Sequence, residues 1–275
     1  MKNKLTSELA VCGINAVKAL EKNNPGGITR LYVDAARAPL FGSLCKILAA
    51  QRVPYNTVTD DELQKLSGSV HHQGVAAMIS APRAERVSSG DFDVWSAAKE
   101  RILVLDNVGN ANNFGAIVRS AAFFGIKYII VEHGISYLTT SSYRIAEGGM
   151  EYVTVRSTES VAALLKSAKG IITRIGTDAR GDIPASRIGT IAQNSALFLV
   201  VGNEERGISR DVRAECDIIV SIAPRQADRP HIESLNVAQA VSILLYEMEN
   251  AGHTPHEKRG GAGEAKYERA YHSSL

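Results

Sequence analysis

The sequence predicts an α/β protein built as two units: an open parallel sheet between helices in the C-terminal part, and a smaller α/β unit before it. Three observations predict this. Short apolar runs alternate with helix-spaced amphipathic segments along most of the chain, the pattern of layered α/β architecture. In the second part, runs such as 102–105 and 197–201 are apolar at every position, as in strands covered by helices on both faces. Between the two parts, residues 81–91 are polar, contain Pro82 and Gly90, and show no apolar period. Residues 82–98 are therefore read as a linker joining units 8–81 and 99–250.

In the first unit the spacing predicts helix over 14–20, strand over 29–33, helix over 40–51 and strand over 55–58. Asp60 is expected to cap a helix reaching residue 66 by accepting orphan amide protons, and strand 75–80 closes the unit. In the second unit, strand 102–105 leads to a helix over 115–124 that buries Ile117, Val118, Ala121 and Ala122. Strand 128–131, helix 162–169 and strands 171–175, 197–201 and 218–222 follow. The last helix opens at Ser234-Leu235-Asn236, with Ser234 or Asn236 as its cap. Its apolar face is Val237, Ala240, Val241, Leu244, Leu245 and Met248. The tail, 251–275, has no apolar period and carries Gly260, Gly261 and Gly263, so disorder is expected there.

The chain of 275 residues is long enough for two cores, and its formal charge of +2 does not by itself announce a nucleic-acid partner. No apolar run is long enough to span a bilayer and the first residues lack a secretory core, which predicts a cytoplasmic protein without membrane association. Cys12, Cys45 and Cys216 share no CxxC spacing and lie in or beside apolar segments, so free, buried thiols are expected. His71 and His72 have no carboxylate or thiol cluster near them in sequence, and no metal is expected.

Three polar clusters each follow an apolar run: Asn112 to Arg119, Gly202 to Gly207, and Ser234 to Asn236. They fall where an open parallel sheet binds ligands, at the carboxyl ends of its strands. Taken singly, the first could be an Asn cap followed by a surface Arg, and the second a charged turn. Neither a GxGxxG fingerprint nor a GxxxxGK loop is present, which disfavours a nicotinamide cofactor or a phosphate loop.

Together, in this order, the clusters resemble the three motifs of the SpoU family of RNA ribose 2′-O-methyltransferases, in the knotted SPOUT superfamily. Phe123-Phe124-Gly125-Ile126 resembles the ending of the family's first-motif helix. The resemblance implies S-adenosylmethionine as cofactor, a deep trefoil knot in the C-terminal unit, and a homodimer formed through it. It implies catalytic roles for Asn113, Arg119, Glu204, Ser234 and Asn236, and cofactor contacts from Gly202, Gly207, Ile222, Leu235 and Asn236. For Arg119 two roles are open, general base or electrostatic clamp, because arginine is normally protonated and offers no acceptor. Arg144 to Glu151 resembles a small-residue segment of the family, and its Gly pair suggests close packing.

Cys12 to Val17 and His71 to Ala77 resemble the ends of the family's substrate-binding domain, which implies an RNA-binding unit with a ribosomal-protein-like α/β/α fold. Arg30 and Arg37 are the candidate phosphate contacts there, with Lys46 and Arg52 beside them. Between strand and last helix, residues 222–233 depart from the family by lacking Gly and by carrying Arg225 and Arg229, two further candidate RNA contacts. Members with such an N-terminal domain more often resemble ribosomal than transfer RNA enzymes. The alternative on the same fold is an RNA-binding pseudoenzyme acting in ribosome assembly.

Overall fold

The structure, a computed structural model, describes residues 8–134, 137–193, 195–223 and 234–250. The N-terminal unit comprises β1 (Glu8–Cys12), α1 (Ile14–Asn23), β2 (Ile28–Val33), α2 (Gly42–Ala50), β3 (Tyr55–Thr57), α3 (Asp60–Ser67) and β4 (Val75–Ser80). Its sheet runs in the order β1-β4-β2-β3. Strand β4 is antiparallel to both β1 and β2, and β3 is parallel to β2. Strand β1 was not expected from the pattern; all five of its residues, Glu8 included, are buried. The cap of α3 is Thr59 rather than Asp60. Its hydroxyl accepts from the Glu62 amide while the Glu62 carboxylate accepts from the Thr59 amide at 2.8 Å, a reciprocal capping box.

The C-terminal unit continues with β5 (Glu85–Arg86), α4 (Ser89–Ala97), β6 (Arg101–Leu105), α5 (Ala111–Phe123), β7 (Tyr128–Glu132), α6 (Thr140–Ala146), β8 (Thr154–Thr158), α7 (Val161–Ser167) and β9 (Thr173–Thr177). It closes with β10 (Ile183–Pro184), α8 (Ile188–Ala192), β11 (Leu197–Val201), α9 (Arg210–Ala214), β12 (Ile218–Ser221) and α10 (Val237–Asn250). All eight strands are parallel, in the order β10-β12-β9-β11-β6-β7-β8-β5.

The expected linker is thereby corrected. Residues 85–86 pair with β8, and 89–97 form a helix that drives Phe92 and Trp95 into the core. Trp95 meets Phe198 edge-on, with ring centroids 6.0 Å apart. Two aromatic anchors one turn apart are too few to show as a period, yet each buries a large apolar area. The β9 run also lies two residues later than expected, leaving Ile171 exposed.

The apolar strands bury both faces with period 2. Leu103, Leu105, Ile129, Val131, Leu197, Leu199 and Val201 face α5 and α10 in one core. Ile102, Val104, Ile130, Phe198 and Val200 face the other way, toward α4, α7 and α9. The first core is continuous with that of the N-terminal unit, which contributes Leu9, Val17 and Ile79 among others.

Sequence order leads from β6 outward to β7 and β8, then jumps to β9 on the far side, and β11 later enters between β9 and β6. The reversal therefore lies between β6 and β11, where an open sheet leaves a crevice at its strand ends. The path expected to complete the knot runs through 224–233. That segment and the tail, 251–275, lie outside the described residues. Among those described, no helix is long and apolar enough to cross a membrane.

Candidate active site

The crevice is built from the turns that follow β6 and β11 and from the start of α10. Asp106, directly after β6, is 1% exposed. Its carboxylate accepts from the Ser209 amide at 2.6 Å and from Asn107 Nδ2 at 3.0 Å, so it pins the chain beyond β11 to the end of β6. Asn110 caps α5 by accepting from the Asn112 amide at 2.8 Å. The helix thus begins at Ala111, four residues before the expected start, and Asn113 lies within its first turn.

After β11 the chain folds back on itself. Asn203 and Gly207 exchange backbone hydrogen bonds of 3.0 and 2.9 Å, and Asn203 Oδ1 accepts from the Glu205 and Arg206 amides. Two glycines are required by this turn for different reasons. A Cβ at Gly202 would stand 2.1 Å from the Gly207 carbonyl carbon, and Gly207 has φ +67°, a region side chains rarely adopt.

The three motifs meet through side chains. Asn113 Nδ2 donates to the Glu204 carboxylate, and Asn236 Nδ2 donates to Asn113 Oδ1 at 3.0 Å. Asn236 Oδ1 in turn accepts from the Ala238 amide at 2.9 Å, which makes Asn236 the capping side chain at the start of α10. Residues 91 and 123 positions apart in sequence are joined in one polar chain. Helix α10 reaches this place because it packs along α5, where Ser120 and Ser242 share a hydrogen bond of 2.8 Å. Beneath, Phe114 packs on Tyr137 with centroids 5.0 Å apart. Burial, with the carboxylates Glu132, Asp106 and Glu204 nearby, pushes the Tyr137 phenol well above its ordinary range.

Arg119 stands apart. Six residues beyond Asn113, it lies roughly 9 Å farther along the helix and about 120° around it. It is exposed and forms no ion pair with another described residue. Ser234 and Leu235 are exposed at the approach to α10, and Ile222 is half-buried at the end of β12. Arg225 and Arg229 lie outside the described residues.

In the N-terminal unit the Arg30 guanidinium is paired with Glu8, and Tyr32 together with the Glu8 charge raises its basicity. Arg37, Lys46 and Arg52 are exposed. His72 is buried at 3% exposure, and its Nδ1 accepts from the Gly74 amide at 3.1 Å, a turn support rather than a ligand. Among the described residues no three His, Cys, Asp or Glu side chains cluster to hold a metal. Cys12 is buried; Cys45 and Cys216 are half-buried, and all three are free. Burial pushes the Cys216 thiol up to about 12, which keeps it an unreactive thiol at neutral pH.

Sequence reasoning did not single out Asp106. The available signal was a carboxylate placed directly after an all-apolar strand, where a charge needs hydrogen-bonded partners to be buried.

Comparison with known proteins agrees with this geometry. Residues 100–246 match the model of the SpoU rRNA Methylase family, and residues 10–85 match that for RNA 2′-O ribose methyltransferase substrate binding. The human mitochondrial rRNA methyltransferase 1 is 31% identical over 80% of this chain and 67% of its own length. The 23S rRNA (guanosine-2′-O-)-methyltransferase RlmB of Nitrosomonas europaea is 28% identical over 94% of this chain and 96% of its own. In fold, the chain resembles the AdoMet-bound rRNA methyltransferase from Sinorhizobium meliloti, with a TM-score of 0.71, 20% identity and coverage of 91% and 90% of the two chains. A family match over more than half of the chain, with its motifs joined in one crevice, places this protein in the SpoU rRNA methylase family of RNA methyltransferases.

Proposed function

We propose that the protein methylates a ribose 2′-hydroxyl of structured RNA, with ribosomal RNA as the substrate class and S-adenosylmethionine as the methyl donor. The observation that carries this reading is the polar chain Glu204–Asn113–Asn236, which draws all three motifs to the crevice between β6 and β11. The residues present fit the donor. A Cβ built at Gly207 meets nothing within 4 Å, so one side of the turn is open, and Leu235, next to Asn236 in the third motif, leaves an apolar side chain 41% exposed. Gly202, Gly207, Ile222, Leu235 and the Asn236 backbone are the groups that would hold it. When bound, S-adenosylmethionine supplies an electrophilic methyl group carried on a sulfonium.

The chain's own residues then have distinct tasks. Asn113 and Asn236 are fixed by each other and by Glu204, so their positions are set before RNA arrives, and Glu204 is occupied in holding them. Arg119 has donors but no acceptor. We assign it to orienting the ribose and its neighbouring phosphate rather than to removing the proton, a task that assistance from another acceptor would speed by about 10² to 10⁴. Arg37, with Arg225 and Arg229, supplies phosphate contacts. The names of the relatives support ribosomal RNA.

The same reading includes the trefoil knot and a homodimer through the C-terminal unit. Phe123 is 83%, Tyr246 58% and Ile243 38% exposed on the paired helices α5 and α10, an apolar face suited to a second copy. Sedimentation should give a dimer for the native chain and a monomer for Phe123→Arg combined with Tyr246→Arg; a dimer that survives both changes removes this face from the assembly.

The direct test is transfer of radiolabelled methyl from S-adenosylmethionine to RNA from a strain lacking the gene. Label in one RNA species, with one linkage resistant to alkali, supports ribose methylation and names the substrate. Absence of label alongside intact RNA and cofactor binding would replace the enzyme by the RNA-binding reading.

A further inference from the structure

The tripeptide Glu147-Gly148-Gly149 lies between the two units, and each residue has a different neighbour. The Glu147 carboxylate accepts from Asn15 Nδ2, on α1 of the N-terminal unit, at 2.7 Å. It does so from a left-handed backbone, φ +51°, that a non-glycine residue adopts only when its surroundings hold it there. Gly148 is buried with φ +93°, and a Cβ there would stand 2.8 Å from Ala19 Cβ and 3.0 Å from the Asn15 carbonyl oxygen, both on α1. Gly149 faces the opposite way: its Cβ would stand 3.2 Å from the Val118 carbonyl oxygen and 3.3 Å from Arg119 Cα. Three residues thus separate the RNA-binding unit from the turn of α5 that bears Arg119.

The helix leading into this tripeptide carries the contact further. At Gly115 of α5 an added Cβ would stand 2.6 Å from the Ser142 carbonyl oxygen of α6. Ser141 Oγ donates to Asn112 Oδ1 at 2.9 Å, next to Asn113. One end of α6 therefore braces the first turn of α5, and the other end seats α1.

We infer that Asn15, Ala19, Glu147 and Gly148 form a positioning seat, which fixes the N-terminal unit at a set distance from Arg119 so that RNA held by one unit is presented in register to the other. The inference rests on the methyltransferase reading above. Its physical basis is that close-packed glycine contacts transmit position without slack, and that small misplacements of reacting groups lower rates steeply.

Two variants open the seat from opposite sides. Ala19→Leu adds bulk on α1, where leucine is a good helix former, and leaves the C-terminal unit unaltered. Glu147→Ala removes the acceptor for Asn15, and Glu147→Gln restores one. In the full-length protein, Ala19→Leu should lower kcat at saturating RNA roughly ten- to a hundredfold, with affinities for RNA and for S-adenosylhomocysteine unchanged. Glu147→Ala should have a smaller effect of the same kind, and Glu147→Gln should recover it. Amide hydrogen exchange, read without any activity, should show loss of protection in α1 for Ala19→Leu and Glu147→Ala. Native kcat together with native α1 protection in both variants overturns the seat, as does a loss confined to RNA affinity. If the native protein transfers no methyl to any RNA, the functional reading fails, and with it the seat's role in catalysis. The exchange data then still decide whether the contact holds the units together.

Discussion

The N-terminal and C-terminal sheets both gather loops at one edge, but their polar side chains are engaged differently. In the N-terminal unit β1, β2 and β3 end at the edge where β4 begins, and the side chains there serve the backbone. Gln73 Oε1 accepts from the Ile14 amide at 2.9 Å, Asp34 from the Arg37 amide at 2.6 Å, and His72 from the Gly74 amide. In the C-terminal unit the decisive links run between side chains of separate segments, Glu204 to Asn113 to Asn236. A side chain satisfying a nearby amide stabilises a turn. Side chains that satisfy one another across the fold hold a geometry that no single turn needs, and this is why the second edge is the one proposed as reactive.

Substitutions at the two edges should therefore have different signatures. Arg119→Ala should reduce methyl transfer by about 10² to 10³, the usual effect of losing one charge-bearing donor in a site, with cofactor affinity retained on calorimetry; full activity would remove Arg119 from the mechanism. Asn113→Ala should lower kcat by roughly ten- to a hundredfold, since Asn236 and Glu204 both lose their partner. Gln73→Ala, by contrast, should cost about 1 kcal/mol of stability as a lost helix cap and leave kcat alone. A kinetic effect from Gln73→Ala, or a purely thermal one from Asn113→Ala, would break the comparison.

Smaller effects sharpen it. For RNA binding followed across salt concentrations, Arg37→Ala should reduce the slope of log affinity against log salt by about 1. Arg30→Ala should leave that slope unchanged, because Arg30 is already paired with Glu8. Smallest is a pH effect. Arg174, 3% exposed, holds the Asp217 carboxyl below its ordinary value through hydrogen bonds and charge. A folded-state value below the unfolded one gives stability that is present above the unfolded value and lost as pH falls through the folded one. Thermal melts of Asp217→Asn should show less acid destabilisation than the native chain, by a small margin because the carboxylate is partly open to solvent.

Much of this architecture was legible before the structure. Fully apolar runs marked β6 and β11 as strands covered on both faces, and the β11 bounds agree with the expected ones at both ends. Elements with few anchors were not legible. The helix Ser89–Ala97 depends on two aromatics, and β5 and β10 are two residues each, so neither produces a period.

Sequence alone determined the element types that depend on local pattern, together with the motif residues, whose identity and order point to the family. Tertiary structure decided what those residues do to one another: that Asn236 bonds to Asn113, that Arg30 pairs with Glu8, and that Gly148 and Gly149 face different units. The physical reason is range. Periodicity and capping act over a few residues, within reach of the chain's own propensities. The side-chain hydrogen bonds of the crevice and the seat join residues 91 to 132 positions apart, and only the strand order and the helix packing bring them within reach.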